Sequence, residues 1–389
     1  MTFGTEEPSS VRIDGRRGKG TGSDGRDDVL PTQGGATGES RPGATTGRAG
    51  AATEAAVPMS GEQDPIGMLR AYADHPSAFL AVNARTRHYY GSGVRGLVAF
   101  LPGERHHLQF AGPFAAPADR GPLLDEYLHA LDRGPGRRKA LTAVQLRSHD
   151  VPLYADRGFA VNQLGVSYGI DLSRFTLRGK PLAKVRQNVS RARREGVTVT
   201  EVADEDLPDR HTLDRIDRQW LRDKGRLVRQ LSFMVGEHGG IGRTLRRTFL
   251  ARHRGEIVAY ITYAPAWGSR PGWLCDLSRR CPQAPVGTHE LITLTALGRF
   301  TEEGAGWLHL GLAPFVGLAD EHEQPCASAL LGWAIRQGAK RGRELYPART
   351  QEAFKLKWAP HVCEPEYVAF QDRVRVAAVW RLLRATRVL

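Results

Sequence analysis

The stretch between Glu256 and Pro314 reads EIVAYITYAP (Glu256–Pro265), GWLCDLS (Gly272–Ser278), THELITLTALGRF (Thr288–Phe300) and GWLHLGLAP (Gly306–Pro314). The first, second and fourth pieces are short apolar runs bounded by glycine or proline, the pattern of buried strands. The third spaces its apolar residues as one face of a helix does. Strand, strand, helix, strand is the grammar of an α/β domain, and TFLARH (Thr248–His253) adds a strand before it. The same grammar occurs earlier in the chain. LVAFL (Leu97–Leu101), HLQFAG (His107–Gly112), LTAVQL (Leu141–Leu146) and GVSYGIDL (Gly165–Leu172) read as strands. Pro65–Tyr72 and Pro122–Leu131 read as helices. Two modules of like grammar in tandem suggest a duplicated fold, α/β (α+β) with mixed sheets flanked by helices. The expected boundaries are 61–178 and 199–389. Helices are also expected over Cys326–Gly342 and Val374–Leu389.

Composition agrees with two folded modules. The chain has 389 residues and 41% hydrophobic content, enough for a full core but more than one ordinary domain. Residues 1–60 hold twelve glycines and a single aromatic residue, Phe3. Such a segment cannot bury enough apolar surface to offset its ordering entropy, so a disordered tail is expected. The tail carries a net −1, which leaves +14 of the overall +13 on the remaining residues. A folded part so charged attracts polyanions, nucleic acid or an anionic membrane surface, unless the excess serves solubility alone.

Several classes are set aside. Cys275, Cys281, Cys326 and Cys363 form no CxxC pair and fit neither a zinc site nor a disulfide scaffold. The acidic start MTFGTEEP does not resemble a secretory signal, and no run approaches the roughly 18 apolar residues of a membrane helix. The reading is therefore a cytoplasmic protein without a spanning segment. GSGVRG (Gly91–Gly96) precedes a strand instead of following one, so it fails as a dinucleotide fingerprint. GVSYG (Gly165–Gly169) lacks the helix that a nucleophile elbow requires, which leaves Ser167 as a strand residue. His106 and His107 point to opposite faces of a strand and cannot easily share a metal. Asn188-Val189-Ser190 matches a glycosylation sequon without meaning on a cytoplasmic helix. No metal and no cofactor is called for.

Between the modules, KPLAKVRQNVSRARREG (Lys180–Gly196) reads as a helix closed by a glycine, within a basic linker of 179–198. Lys184, Arg186, Arg191, Arg193 and Arg194 are candidate phosphate contacts for RNA; the alternative is a solvated face with cations at the helix C-terminus.

Over roughly residues 150–385 the order of motifs resembles the catalytic domain of the phosphatidylglycerol lysyltransferases, the multiple peptide resistance factors. The resemblance runs through YADRGFAVNQLGVSYGIDLSRFTLRGK, the basic helix, QWLRDKG (Gln219–Gly225), SFMVGE (Ser232–Glu237), WLCDLSRR (Trp273–Arg280), WLHLGLAPF (Trp307–Phe315) and FKLKWAPHVCEPEYVAF (Phe354–Phe370). It implies two fused acetyltransferase-like (GNAT) modules and transfer of an amino acid from aminoacyl-tRNA to an acceptor. The family's Asp-Leu-x-Arg motif falls on Asp276 and Arg279. Asp276 is expected to bind the α-ammonium or to take a proton from the nucleophile, and Arg279 to fork onto a phosphate or carboxylate. The alternative is a structural ion pair between them. The family's Phe-Lys-x-Lys motif falls on Lys355 and Lys357, expected to steady the oxyanion or the tRNA phosphates, or else to alternate along an exposed β-edge. Phe233, Met234 and Gly236 of SFMVGE are candidates for the aminoacyl pocket, with Glu290 and His309 as further substrate contacts.

Where an acetyltransferase would carry a Gly-rich pyrophosphate loop, this chain has Gln283-Ala-Pro-Val-Gly287-Thr, so acyl-CoA transfer stands second and a non-catalytic tRNA-binding module third. The acceptor is open between a small metabolite, as in antibiotic assembly, and a lipid headgroup. For the lipid, the C-terminal helix offers Val376, Val379, Trp380 and Leu383 on one face with Arg375, Arg381, Arg384 and Arg387 elsewhere. The alternative packs that helix on the second module.

Overall fold

The computed structural model describes residues 64–134, 139–205, 207, 210–224, 233–341 and 348–386. The tail of 1–60, Gly225, Ser232, Gly342 and the last residues from Arg387 lie outside the described residues. In chain order the first half holds α1 (Pro65–Tyr72), a 3-10 turn (Ala78–Val82), β1 (Arg87–Tyr90), β2 (Gly96–Leu101), β3 (His106–Phe110), β4 (Phe114–Ala115), α2 (Arg120–Arg133), β5 (Ala140–Leu146), α3 (Val151–Ala155) and β6 (Ala160–Asp171). The basic segment forms α4 (Ala183–Arg194). The second half holds β7 (Thr198–Val202), α5 (Arg210–Lys224), β8 (Arg247–His253), β9 (Glu256–Ala266), β10 (Gly272–Arg280), α6 (Thr288–Glu302), β11 (Trp307–Pro314), α7 (Ala329–Arg341), α8 (Ala348–Leu356), β12 (Val362–Phe370) and α9 (Val376–Ala385).

The strands form one mixed sheet, in the order β1-β2-β3-β5-β12-β6-β11-β10-β9-β8-β7, with β4 beside β2. The fold is α/β, a mixed sheet flanked by helices. Parallel pairing occurs at β3–β5 and β10–β11, and in each case the intervening connection contains a helix, α2 or α6. Each half therefore runs through antiparallel strands, a helix, a parallel strand and a final antiparallel strand. The final strands are exchanged: β12 from the end of the chain lies between β5 and β6, and β6 pairs with β11. In the strand order β5 and β11 flank the central β12–β6 pair, with β3 and β10 next beyond them. The sheet runs unbroken across the two halves, and residues 60–389 form one compact unit.

Central strands in this position are covered on both faces, and β6 accordingly buries every residue from Val161 to Ile170. Along β12, Tyr367 and Ala369 join the cluster under α2 and α3, whereas Val368 and Phe370 join the one under α1 and α9. In the second half α4 and α6 cover Val166, Tyr168, Ile261 and Leu308, and α5 covers Tyr260 and Leu277 on the other face. The expected capping glycine of α4 is present: Gly196 sits at φ 80°, and Val197 N–H reaches Ala192 O at 3.0 Å. Gly287 (φ 94°) lets α6 approach α4, since a Cβ there would lie 2.0 Å from Asn188 O.

Three expectations are corrected. α7 begins at Ala329 instead of Cys326. Phe354–Leu356 end a helix and do not form a β-edge; only from Val362 does that block become strand. α9 packs on the first half, not the second, with Ala378, Leu382 and Ala385 in the cluster of Leu108 and Phe110, and Arg381 donating to Pro102 O at 2.6 Å.

Candidate active site

Strands β10 and β11 pair over only three positions, from Gly272–Trp307 to Leu274–His309, and then diverge. Both bulge at the divergence, β10 between Cys275 and Leu277 and β11 between His309 and Gly311. Bulges re-aim side chains and recur beside active sites. Lys355, on the last turn of α8, is 9% exposed and donates to Gly311 O and Leu312 O at 2.8 Å each. Burial lowers its pKa to about 8. Lys357 lies one residue beyond α8 and points elsewhere. It pairs with Glu290 at 2.7 Å and lies 4.3 Å over the Phe354 ring.

Asp276 and Arg279 do not pair with one another. The Asp276 side chain is fully buried, accepting from Arg246 Nε at 2.9 Å and from the Thr262 hydroxyl at 2.6 Å. Arg246 also donates to Gly239 O and Asn83 Oδ1, and Asn83 donates to Val235 O, at 3.0–3.1 Å. The buried pair thereby ties β10, the loop of residues 235–239 and the first half together. Gly236 is required by this packing, since a Cβ would fall 2.0 Å from Asp276 Oδ1. With both carboxylate oxygens engaged, Asp276 positions this loop and is not placed as an open base. Arg279 is 5% exposed, stacks on Trp220 at 4.3 Å and lies 3.5 Å from Asp217, so it offers no open fork to a phosphate. Asp217 in turn accepts from the Tyr260 hydroxyl, which contacts His238 Nε2 at 2.8 Å.

On the β12 side of the splay lies a second polar group. Arg147 and Arg270 both pair with Glu364, at 2.8 and 2.6 Å, and His309 Nε2 bonds Arg270 O at 2.9 Å. Burial depresses the His309 pKa to about 4. Deeper, Glu366 is 1% exposed with neither oxygen hydrogen-bonded, and burial raises its pKa to about 7. His75 Nε2 stands 3.7 Å from it. Cys275 is pushed up to about 12 by burial and by the charge of Asp276.

Phe233 and Met234 belong to the seam between the halves: Phe233 is buried edge-on to Phe110 at 6.2 Å, and Met234 packs on the same cluster. Glu290 occupies the first turn of α6, held by Lys357 and by Asn188 Nδ2 at 2.8 Å; burial opposes its ionisation but the Lys357 contact outweighs it, and the pKa is lowered. Of the α4 cations, Lys184, Arg193 and Arg194 are exposed on the surface. Arg186 is spent on Leu177 O and Gly179 O, and Arg191 on Glu195 at 2.7 Å. Sequence reading missed Arg246, Asp217, Tyr260, His238, Arg147, Glu364 and Glu366. Their partners lie tens to hundreds of residues away, and the only local signal was the adjacency of His238 to SFMVGE.

The family model for the C-terminal part of phosphatidylglycerol lysyltransferase matches residues 67–370. The lysylphosphatidylglycerol biosynthesis bifunctional protein LysX of Mycobacterium marinum is 27% identical over 238 residues, 60% of this chain and 21% of that protein. The phosphatidylglycerol lysyltransferase of Bacillus subtilis is 24% identical over 296 residues, 73% of this chain and 32% of that protein. The chain thus spans about a fifth to a third of these relatives. Among solved structures, L-PGS from Bacillus licheniformis aligns with a TM-score of 0.66 at 22% identity, covering 82% of this chain and 94% of that one. By its sequence match and its fold, the chain belongs to the family of phosphatidylglycerol lysyltransferase C-terminal domains.

Proposed function

We propose that the protein transfers an amino acid from aminoacyl-tRNA to a hydroxyl of a phosphatidylglycerol headgroup. The observation that carries this reading is the family match over residues 67–370, a span that contains β10, β11, α8, β12 and the loop packed on Asp276. The aminoacyl ester is already activated, so the protein has to align it with a nucleophile and stabilise the oxyanion that forms on attack. Lys355 suits the second task. Two of its protons are fixed on backbone carbonyls at the splay, which leaves a third for a developing negative charge. The exposed Lys184, Arg193 and Arg194 of α4 serve as sequence-independent contacts to the tRNA backbone.

Acyl-CoA transfer fits less well for an electrostatic reason. A pyrophosphate cradled at the N-terminus of α6 would meet the Glu290 carboxylate already seated there. For the bilayer, α9 presents Val376 (87% exposed) and Trp380 (53% exposed) beside exposed Arg373, Arg375 and Arg384. An apolar tip ringed by cations is suited to an anionic lipid surface. Among the described residues no helix is long and apolar enough to cross a membrane.

The test incubates the protein with a panel of radiolabelled aminoacyl-tRNAs and vesicles of phosphatidylglycerol, with a cell extract and acetyl-CoA in parallel arms. Label entering the organic phase from one aminoacyl-tRNA is the expected result. Label entering a water-soluble product would replace the lipid by a metabolite acceptor. Consumption of acetyl-CoA with every aminoacyl-tRNA intact would overturn the reading.

A further inference from the structure

The aminoacyl-transfer reading needs a group to take the proton of the acceptor hydroxyl, and the carboxylate expected for it, Asp276, is spent on Arg246 and Thr262. Glu366, His75 and His309 lie fully inside the fold. His238 differs from these. It is half-buried, on the loop that Gly236 seats against Asp276, and its ring stands 5.0 Å from that of Tyr260.

The hydrogen-bond order around Tyr260 fixes the state of that imidazole. A carboxylate can only accept, so the Tyr260 hydroxyl donates to Asp217, as observed. Its oxygen then accepts from His238 Nε2–H at 2.8 Å. The proton of the neutral ring is thereby held on Nε2, and Nδ1 keeps its lone pair; among the described residues no hydrogen bond is made to Nδ1. A base whose far nitrogen is held by a hydroxyl and a buried carboxylate has the arrangement that orients and then stabilises an imidazolium. Arg279 at 3.5 Å holds Asp217 in place from the other side.

We propose that His238 is the general base of the transfer, with Tyr260 and Asp217 as its positioning residues. This rests on the aminoacyl-transfer reading. His238 Nδ1 takes the proton from the acceptor hydroxyl as its oxygen bonds to the ester carbonyl carbon. When the tetrahedral intermediate collapses, the bond to the terminal ribose oxygen of the tRNA breaks, and the same proton passes from Nδ1 to that oxygen. No oxidant or further reactant enters. Burial keeps the His238 pKa below its ordinary value despite Asp217 and Asp276, with Arg279 and Arg246 acting in the same direction as burial, so the ring is neutral at pH 7 and able to accept.

The experiment follows single-turnover transfer to phosphatidylglycerol vesicles from each 14C-labelled aminoacyl-tRNA of the panel by the wild type, His238→Gln, His238→Ala and Tyr260→Phe. Glutamine keeps a donor for Tyr260 but cannot take the proton. A fall of about 100- to 10,000-fold in rate is expected, with tRNA affinity and melting temperature retained, and added imidazole should restore part of the His238→Ala rate. Tyr260→Phe should fall less and move the acidic limb of the pH–rate profile. Transfer by His238→Gln within about 3-fold of wild type would overturn the assignment, because general-base catalysis is worth at least about 100-fold. If the wild type itself transfers nothing, the functional reading has failed, and ¹⁵N NMR of the imidazole then judges the relay alone. A fixed Nε2–H tautomer whose titration shifts in Tyr260→Phe supports it, and an unshifted titration refutes it.

Discussion

The two parallel junctions of the sheet occupy equivalent places in the two halves, yet they are finished differently. In the first half β3 and β5 stay paired over five positions, from His106–Ala140 to Phe110–Val144, and Ala111 N–H extends the ladder to Val144 O at 2.9 Å. The end of that junction is closed by Gln109, whose amide donates to Ala111 O. In the second half β10 and β11 part after three positions, and the gap holds the ammonium of Lys355. One topology therefore serves as scaffold where the ladder is completed and as a candidate active site where it is left open. The buried Arg246–Asp276 pair stands at the β10 bulge where the junction opens, and the Asp217–Tyr260–His238 chain lies further along β9, opposite Arg279.

Breaking the supports of the open junction sharpens the comparison. The largest loss of stability is expected for Arg246→Met, which strands the Asp276 carboxylate: about 3–5 kcal/mol, read as a drop in denaturant midpoint. Next is Glu366, whose pKa is raised from the ordinary 4.5 to about 7 by burial. The folded state keeps this proton while the unfolded state releases it above 4.5. Stability is therefore full below pH 4.5 and declines as pH rises towards 7, by about 3 kcal/mol for this group. Glu366→Gln should match wild type at pH 4.5 and melt higher at pH 8, and equal melting at pH 8 would remove the group from the account. Gly236→Ala collides with Asp276 and should cost about 1–3 kcal/mol, as overpacking does. The smallest effect is on binding: Arg193→Gln with Arg194→Gln should weaken tRNA affinity and reduce the magnitude of its salt slope by up to about 2, measured by filter binding.

Much of this was legible in the sequence because strands and helices are written in local periodicity. Strands β2, β3, β5, β6, β8, β9, β10 and β11 and the helices α1, α2, α4 and α6 follow from apolar spacing and punctuation within a few residues, whereas the short or polar β1, β4 and β7 gave no such signal. What spacing cannot carry is pairing across the chain. Nothing near Val362 announces that β12 will cross into the first half, since its hydrogen-bond partners lie some two hundred residues earlier. Lys355 and Lys357 invited a strand reading because alternation over four residues has no clear period; α8 carries Lys355 and ends just before Lys357, and the two side chains reach different partners. Asp276 and Arg279 looked like natural partners by proximity in sequence. The bulge at Cys275 sends them to Arg246 and Asp217, neither of which lay in a motif.

The comparison of the two junctions is tested most directly by single-turnover aminoacyl transfer to phosphatidylglycerol vesicles, from the aminoacyl-tRNA that the panel identifies, with Lys355→Met beside Gln109→Leu, each checked for folding by circular dichroism. Lys355→Met should lose about 100- to 1,000-fold in rate, the scale of one oxyanion donor, while Gln109→Leu melts lower but transfers at the wild-type rate. Wild-type transfer by Lys355→Met would contradict the placement of the chemistry at the open junction.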